Sequence, residues 1–237
     1  MSRSEAAGVS SPRLVLVRHG QASLGAQDYD RLSELGQRQA DQTGRRLASV
    51  LAAQPVFWTG THRRHHQTAT ALAPDAVPKG VAALDEFSTF GLVRAAVVEA
   101  DRLGLQRPDD AVLNDPRNHL QPLLDWFPEV LGAWQDGRLA APDIDPWADF
   151  QQRVMSPVDG WRKSLCDGRS VVVVSSAGVI STLVAELAGR DLNYQRQLAV
   201  TMYNASVSEL CLTVDGWRVN TVNCIEHLDA EGLVTLA

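Results

Sequence analysis

Cysteine is scarce in this chain, which contains only Cys166, Cys211 and Cys224. The three residues lie far apart, without a C-x-x-C pair or an even-numbered framework. The sequence therefore indicates neither a disulfide scaffold nor a zinc site. Scattered thiols are typical of a reducing compartment, and we expect a cytoplasmic protein.

Positive charge and long apolar runs are also scarce. The formal net charge is −6. Because a broad surface for nucleic acid needs clustered Lys and Arg, this charge argues against such a surface. A single basic pocket is still compatible with a negative net charge. No segment approaches the roughly 18 uninterrupted apolar residues of a membrane span. Residues 1–12 are small and polar, without the apolar stretch of a secretory signal, and we interpret them as a disordered leader. We expect neither nucleic acid nor membrane as a partner.

Strand and helix patterns alternate after this leader, without internal repeats. Short apolar runs bounded by polar residues predict buried strands, and an Asp-Gly turn predicts a final hairpin. The predicted strands are 14–17, 56–58, 81–84, 171–174, 207–214 and 217–222. The pattern weakens between about 87 and 146, which we interpret as an insertion lying over the domain. The sequence thus predicts one α/β domain over 13–237, a three-layer α/β/α sandwich with a mostly parallel central sheet.

Polar residues follow the first predicted strand abruptly, as Arg18-His19-Gly20. Arginine provides a planar, permanently charged fork for phosphate oxygens, and the adjacent histidine can attack phosphorus through a neutral ring nitrogen. An R-H-G triplet also occurs in surface turns. Its position at the carboxyl end of a buried strand favours a ligand site.

Three further segments carry polar groups near strand ends. Residues 59–61 can cap a helix that places Arg64 one turn inside, near a helix start that favours anions. Asp85 and Glu86 follow the next predicted strand and are candidate general acids. Residues 175–178 form a strand-to-helix turn whose backbone amides can hold an anion.

Five motifs in this order resemble those of the histidine phosphatase superfamily, also called phosphoglycerate mutase-like. The first is the RHG motif, R-H-G-Q at 18–21. The others are L-S-x-x-G-x-x-Q-A at 32–40, R-x-x-Q-T-A at 64–69, L-x-E at 84–86 and N-x-x-x-H-L at 223–228. One such motif is weak evidence, whereas five in order are highly specific.

The resemblance implies that fold and a two-step phosphoryl transfer through a phosphohistidine. His19 is then the nucleophile, Arg18 and Arg64 clamp the phosphoryl oxygens, and Glu86 protonates the leaving group before water releases phosphate. The scheme needs no metal ion or other cofactor, because the arginines supply the positive charge. The expected ligand is a phosphorylated small molecule or inorganic phosphate. No sequence feature indicates the substrate's identity or the oligomeric state.

The fourth segment departs from the family pattern. The family reads V-S-H-G-G-x-I, whereas residues 174–180 read VSSAGVI, which places Ser176 where a second histidine contacts the phosphoryl group. A serine hydroxyl donates one neutral hydrogen bond and carries no positive charge. We therefore assign Ser176 to phosphate binding and expect weakened turnover, since losing one transition-state donor costs about 10²–10³ in rate. His227 is a candidate to compensate, although we interpret it as a packing residue.

Alternative functions follow from that departure. A pseudoenzyme would bind a phosphorylated ligand through the same arginines without turnover. A mutase is less well supported, because it needs a long-lived phosphoenzyme and tight retention of a doubly charged intermediate. An acyl hydrolase is suggested only by the half-match of V-S-S-A-G to the G-x-S-x-G nucleophile elbow, and it would make the other motifs coincidental.

Two further groups of polar residues have alternative interpretations. His62, His65 and His66 have the i, i+3, i+4 spacing of a metal site on a helix, but the sequence shows no acidic or cysteine partner nearby, and we favour a basic helix face or a pocket rim. Asp28 and Asp30 are interpreted either as solvating a loop or as facing the substrate.

Overall fold

The computed structural model describes residues 11–23, 30–51, 54–115, 118–229 and 231–236. The interpretation of residues 1–12 as a leader therefore lies outside the described residues except for the last two positions. Asp28 also lies outside them. None of the helices in the described ranges is both long and apolar enough to cross a membrane.

A mixed six-stranded sheet forms the centre of the protein. Its strands are β1 (Leu14–Arg18), β2 (Val56–Thr59), β3 (Lys79–Gly80), β4 (Val171–Ser175), β5 (Val207–Thr213) and β6 (Gly216–Cys224). Their spatial order is β3-β2-β4-β1-β5-β6. The first four strands in that order are parallel, and β5 pairs antiparallel with both β1 and β6. The predicted hairpin around Asp215-Gly216 is thereby confirmed.

Helices cover both faces of the sheet. In chain order they are α1 (Glu34–Val50), α2 (Arg63–Leu72), α3 (Thr89–Val98), α4 (Ala100–Leu103), α5 (Asp110–Asn114), α6 (Leu120–Gln135), α7 (Trp147–Met155), α8 (Val158–Cys166), α9 (Ala177–Leu187), α10 (Leu192–Thr201) and α11 (Glu226–Asp229). Ser33 caps α1 by accepting the amide N–H of Gly36. Pro157 separates α7 from α8.

The alternation of side chains along the central strands explains the layers. Leu14 and Leu16 of β1 belong to one hydrophobic cluster, whereas Val15 and Val17 belong to another on the opposite face. The first cluster includes residues of α3 and α6 to α10, and the second includes residues of α1 and α2. Because β1 is covered on both sides, its sequence is apolar without interruption. The predicted α/β fold with flanking helices is confirmed.

The prediction of a strand over 81–84 is wrong. The strand is the two-residue edge strand β3, and a 3₁₀ helix follows at Ala82–Leu84. Arg153 of α7 explains the difference, because its Nη1 donates to the carbonyls of Ala82, Ala83 and Asp85 at 2.9, 3.2 and 3.0 Å. Arg153, together with the amide N–H of Asp85 at the carbonyl of Ala82, satisfies these carbonyls in place of a neighbouring strand.

The tryptophans of the region 87–146 belong to the main core. Trp134 packs against Phe87, Trp147 and Phe150, with ring centroids 4.9, 5.1 and 5.4 Å away. Trp126 belongs to the same cluster as the core residues of β1 and β4. The tryptophans of this region therefore contribute to the main core of the domain. The boundaries of the insertion stay a prediction.

His227 lies on α11 against α1, where it supports the packing of the carboxyl-terminal region. Its Nε2 lies 2.9 Å from Oγ1 of Thr43 and 3.2 Å from the carbonyl oxygen of Ala205. Burial lowers the pKa of His227 to about 4. These contacts fit the interpretation of His227 as a packing residue.

This lowered pKa predicts acid sensitivity of folding. Because the pKa of His227 is lower in the folded state than its ordinary 6.5, its contribution to stability is complete above pH 6.5 and is lost as the pH falls towards 4. After allowance for partial exposure, we expect the wild type to lose about 1–2 kcal/mol through this residue between pH 7 and 4.5. Urea unfolding of wild type and His227→Gln at both pH values measures the difference. Equal losses in the two proteins would contradict the expectation.

Candidate active site

The ends of two adjacent parallel strands bring the first and fourth segments together. Arg18 pairs with Ser175 in the register of β1 and β4, and the amide N–H of His19 donates to the carbonyl of Ser175 at 2.9 Å. His19 and Ser176 therefore follow neighbouring strands at the same edge of the sheet. On the other side of β4, the amide N–H of Gly60 donates to the carbonyl of Val174, which joins the second segment to this edge.

His19 is held in a form suited to nucleophilic attack. Its side chain is buried, and Nδ1 lies 2.8 Å from the carbonyl oxygen of Gly20, so a neutral ring donates from Nδ1 and keeps its lone pair on Nε2. Burial, and then the charges of Arg64 and Arg18, lower the pKa of His19 well below its ordinary value. The imidazole is therefore neutral at pH 7.

Arg64 reaches the site from the first turn of α2. Its Nη1 lies 2.7 Å from Oδ1 of Asp30, and its Nη2 lies 3.4 Å from Oγ of Ser176. The other oxygen of Asp30 accepts the amide N–H of Arg63 at 2.8 Å, which satisfies a donor of the helix start. Asp30 therefore orients Arg64 and supports α2.

The hydroxyl residues before α2 do not cap it. His62 is the N-cap residue and makes no side-chain capping bond. The hydroxyl of Thr61 donates instead to Asp85, and the hydroxyl of Thr59 donates to the carbonyl of Gly60. The capping prediction is wrong, because Asp85 and Asp30 supply competing acceptors from distant positions in the sequence.

Arg18 lies beside the carboxyl-terminal segment. Its Nη1 donates to the carbonyls of Met202 and Leu236, the latter at 2.7 Å. Gln39 holds the same segment through the carbonyl of Leu233 at 2.7 Å. The charge of Arg18 acts on both His19 and Glu86. The two arginines predicted from the sequence thus lie near the same two groups.

Glu86 is buried beside the start of α9. Its Oε2 accepts the amide N–H of Gly178 at 2.7 Å, and its Oε1 accepts that of Phe87 at 3.2 Å. Burial raises the pKa of Glu86 and outweighs these two bonds and the nearby arginines. A Cβ at Gly178 would lie 2.4 Å from Oε1 of Glu86, so glycine is required for this close approach. The carboxyl group of Glu86 therefore occupies the start of α9, where the sequence predicts an anion site.

His65 is the neighbour of Ser176 that the motifs do not reveal. Its side chain is fully buried, Nε2 lies 2.8 Å from Oγ of Ser176, and its ring lies 5.6 Å from that of His19. The sequence does contain a signal for this position. Residues 64, 65, 68, 69 and 72 form the buried stripe of α2 and have the spacing of one helix face.

The three histidines near the start of α2 have different surroundings. Nδ1 of His62 lies 3.9 Å from Oδ2 of Asp30. The side chain of His65 contacts Ser176, and that of His66 is exposed. Among the residues that the structure describes, no group of three His, Cys, Asp or Glu side chains is arranged to hold a metal ion.

Ser176 lacks two features of a nucleophile elbow. Its backbone is extended, with φ −103° and ψ 170°, rather than strained. Nδ1 of His65 has no hydrogen-bond partner within the described residues, so no carboxylate orients the ring as in a Ser-His-Asp triad. Both features weigh against an acyl hydrolase.

Comparison with known families and structures identifies the fold. The model of the histidine phosphatase superfamily (branch 1) matches residues 14–103 and 119–225. A mycobacterial glucosyl-3-phosphoglycerate phosphatase, solved with inorganic phosphate, is 25% identical, with a TM-score of 0.61 over 90% of this chain and 98% of that one. No curated protein sequence matches the chain significantly.

Two further solved structures support the fold alone. A mutant phosphoserine phosphatase from Entamoeba histolytica, in complex with phosphoserine, is 15% identical, with a TM-score of 0.60 over 92% of this chain and 99% of that one. YhfR from Bacillus stearothermophilus is 21% identical, with a TM-score of 0.63 over the same shares of the two chains. The phosphoglycerate mutase-like fold predicted from the motifs is confirmed.

Proposed function

Because the chain belongs to the histidine phosphatase superfamily, we propose that it hydrolyses a phosphomonoester through a phosphohistidine at His19. The observation that supports this most is the neutral, buried His19 beside Arg64 and a carboxyl group of raised pKa. The phosphatase named above, which is 25% identical, was solved with phosphate. The substrate class we propose is a small phosphorylated molecule.

The first step transfers the phosphoryl group to the enzyme. Nε2 of His19 attacks phosphorus while the bond to the leaving oxygen breaks, and Glu86 gives that oxygen its proton. Arg18 and Arg64 stabilise the charge on the equatorial oxygens. The ion pair between Nη1 of Arg64 and Oδ1 of Asp30, at 2.7 Å, supports this role because it orients the guanidinium group.

The second step returns the enzyme to its starting state. Water attacks the phosphohistidine, its proton passes to the carboxylate of Glu86, and the bond between phosphorus and Nε2 breaks. Phosphate leaves with His19 neutral and Glu86 protonated. No step in this scheme requires a metal ion, so we expect turnover to persist in excess EDTA.

We expect the purified protein to release nitrophenol from an aryl phosphate and to form a phosphoenzyme. Phosphohistidine is labile in acid, so the reaction is quenched in alkali and the modified peptide is mapped by mass spectrometry. Phosphate on the peptide that contains His19 is the expected result. Binding of inorganic phosphate without phosphoenzyme or turnover would contradict the proposal and support the pseudoenzyme. The uncharged hydroxyl of Ser176, at the position of the second histidine of the family, is the feature that favours a pseudoenzyme.

The cellular location also stays a proposal. Cys166, Cys211 and Cys224 form no disulfide, which fits the reducing cytoplasm that their spacing predicts.

A further inference from the structure

The pair formed by Ser176 and His65 stands directly beside the reacting histidine. Ser176 is 3% exposed and His65 is 0% exposed, so water does not compete for their mutual contact. The Oγ of Ser176 has two neighbours that carry N–H groups, Nε2 of His65 at 2.8 Å and Nη2 of Arg64 at 3.4 Å. An arginine always donates, so the direction of the bond to His65 decides what the hydroxyl does.

The surroundings of His65 favour donation from Nε2. The backbone of Gly60 packs against Nδ1, since a Cβ at Gly60 would lie 2.3 Å from that atom, and no described residue accepts a hydrogen bond from it. A proton on Nδ1 would therefore be a buried donor without an acceptor, which is costly. With its proton on Nε2, the neutral ring donates to Ser176 and leaves only a lone pair on Nδ1.

Under this arrangement the hydroxyl of Ser176 has one remaining role. Its oxygen accepts from His65 and Arg64, which fills both of its lone pairs. Its own proton is then directed away from both donors and is left for a ligand bound beside His19. Two donors to an oxygen also polarise its O–H bond, which strengthens the bond that this group donates.

We propose that His65 is a positioning residue that makes Ser176 the second hydrogen-bond donor to the transferring phosphoryl group. This inference rests on the proposed function. Burial, and then the proximity of His19 and the positive charge of Arg64, lower the pKa of His65 well below its ordinary value, which keeps the ring in the neutral donor form. The pair thereby supplies a directed hydrogen bond from two side chains on different elements, β4-α9 and α2.

A double-mutant cycle tests whether His65 acts through Ser176. We expect Ser176→Ala to lower kcat by about 10²-fold, as the loss of a transition-state donor does. We expect His65→Ala to lower kcat about tenfold or more with little change in KM. The double variant should be no slower than Ser176→Ala, because His65 has nothing to act on once the hydroxyl is gone. Multiplied losses, or kcat of His65→Ala within twofold of wild type, would overturn the proposal.

Two amide variants separate the donor from simple packing. The amide nitrogen of glutamine can take the place of Nε2, so we expect His65→Gln to retain most of kcat. Asparagine reaches only to the position of Nδ1, so we expect His65→Asn to behave like His65→Ala. Equal kcat in these two variants would contradict a directed bond. His66→Ala is the matched control, because that histidine is exposed on the same helix.

An exchange of the two side chains gives a further test. Because Ser176 is buried with Nε2 of His65 only 2.8 Å from its Oγ, a histidine at 176 has no room while His65 is present. We expect Ser176→His alone to be at least tenfold slower than wild type. His65→Ala removes the obstructing ring, so the double variant should be at least tenfold faster than Ser176→His. A single Ser176→His variant faster than wild type would overturn the arrangement.

Two measurements keep the failure of this inference distinct from failure of the proposed function. Vanadate, which resembles the transferring phosphoryl group, should bind wild type more tightly than Ser176→Ala or His65→Ala by about tenfold or more. Long-range ¹H–¹⁵N NMR of the whole protein should show His65 protonated on Nε2. Wild type without turnover or vanadate binding would reject the proposed function, whereas a His65 protonated on Nδ1 would reject the present inference alone.

Discussion

Replacing His19 with asparagine is expected to lower kcat by about 10⁴-fold or more, because it removes the nucleophile and keeps the rest of the site. The amide nitrogen of asparagine can replace Nδ1 in the 2.8 Å contact with the carbonyl of Gly20. What disappears is Nε2, the atom that attacks phosphorus. Steady-state hydrolysis of an aryl phosphate and phosphoenzyme trapping measure the loss.

The control for His19→Asn is a variant that also loses the structural contact. His19→Ala removes both ring nitrogens, so it should lose as much activity as His19→Asn and be less stable by about 1 kcal/mol, the value of one hydrogen bond. Thermal denaturation compares the three proteins. Turnover within tenfold of wild type in either variant would mean that His19 is not the nucleophile.

Replacing Glu86 with glutamine is expected to slow phosphoryl transfer from alkyl phosphates by about 10²–10⁴-fold, the usual contribution of a general acid. An alkoxide leaves poorly without a proton, whereas an acidic phenol needs none. The first step with a nitrophenyl phosphate should therefore slow by less than about tenfold, since general-acid assistance scales with the basicity of the leaving group. Stopped-flow measurement of the nitrophenol burst isolates that step from the later hydrolysis. Equal losses on the two substrate classes would contradict the role of Glu86.

The pH profile of Glu86→Gln is the second part of the same experiment. In wild type, kcat/KM should fall on the acid side as His19 becomes protonated and on the basic side as Glu86 loses its proton. Because the pKa of His19 is lowered, the acid limb of the profile should lie well below the ordinary pKa of histidine. Because the pKa of Glu86 is raised, the basic limb should lie above the ordinary pKa of glutamic acid. The glutamine variant should lose the basic limb and keep the acid limb. Glutamine is the closest neutral replacement in shape, because its amide oxygen can still accept one of the two N–H bonds that Gly178 and Phe87 donate to Glu86.

The position of His19 could be predicted from local sequence, because a run of four apolar residues followed at once by R-H-G has few other interpretations in an α/β protein. The same holds for Ser176 at the end of β4. The strand predicted over 81–84 failed for a different reason. The carbonyls of Ala82 and Ala83 accept hydrogen bonds from Arg153, which lies on a helix about 70 positions later. Local strand propensity cannot predict a contact with so distant a residue.

The contact between His65 and Ser176 could not be predicted from the sequence. The buried stripe of α2 indicates that His65 points inward, but the partner depends on how α2 lies against β4. Three closely spaced histidines predict a basic helix face or a pocket rim, whereas packing places His62 near Asp30 and buries His65 against Ser176. Side-chain chemistry in the sequence predicts which residues belong to the site, whereas tertiary geometry decides which of them are in contact.

The strand order has a consequence for the way the chain acquires its shape. In the sheet, β4 lies between β1 and β2, yet it follows them by more than a hundred residues in the chain. β1 and β2 therefore lack the strand that joins them until the last third of the protein has been synthesised, and only the two-residue strand β3 can pair with β2 before then. Closing so long a loop is slow, and it leaves apolar strands exposed in the meantime. The edge of the sheet that carries His19 and Ser176 is thus among the last regions to form, and nascent chains of this protein should depend on chaperones until β4 has been synthesised.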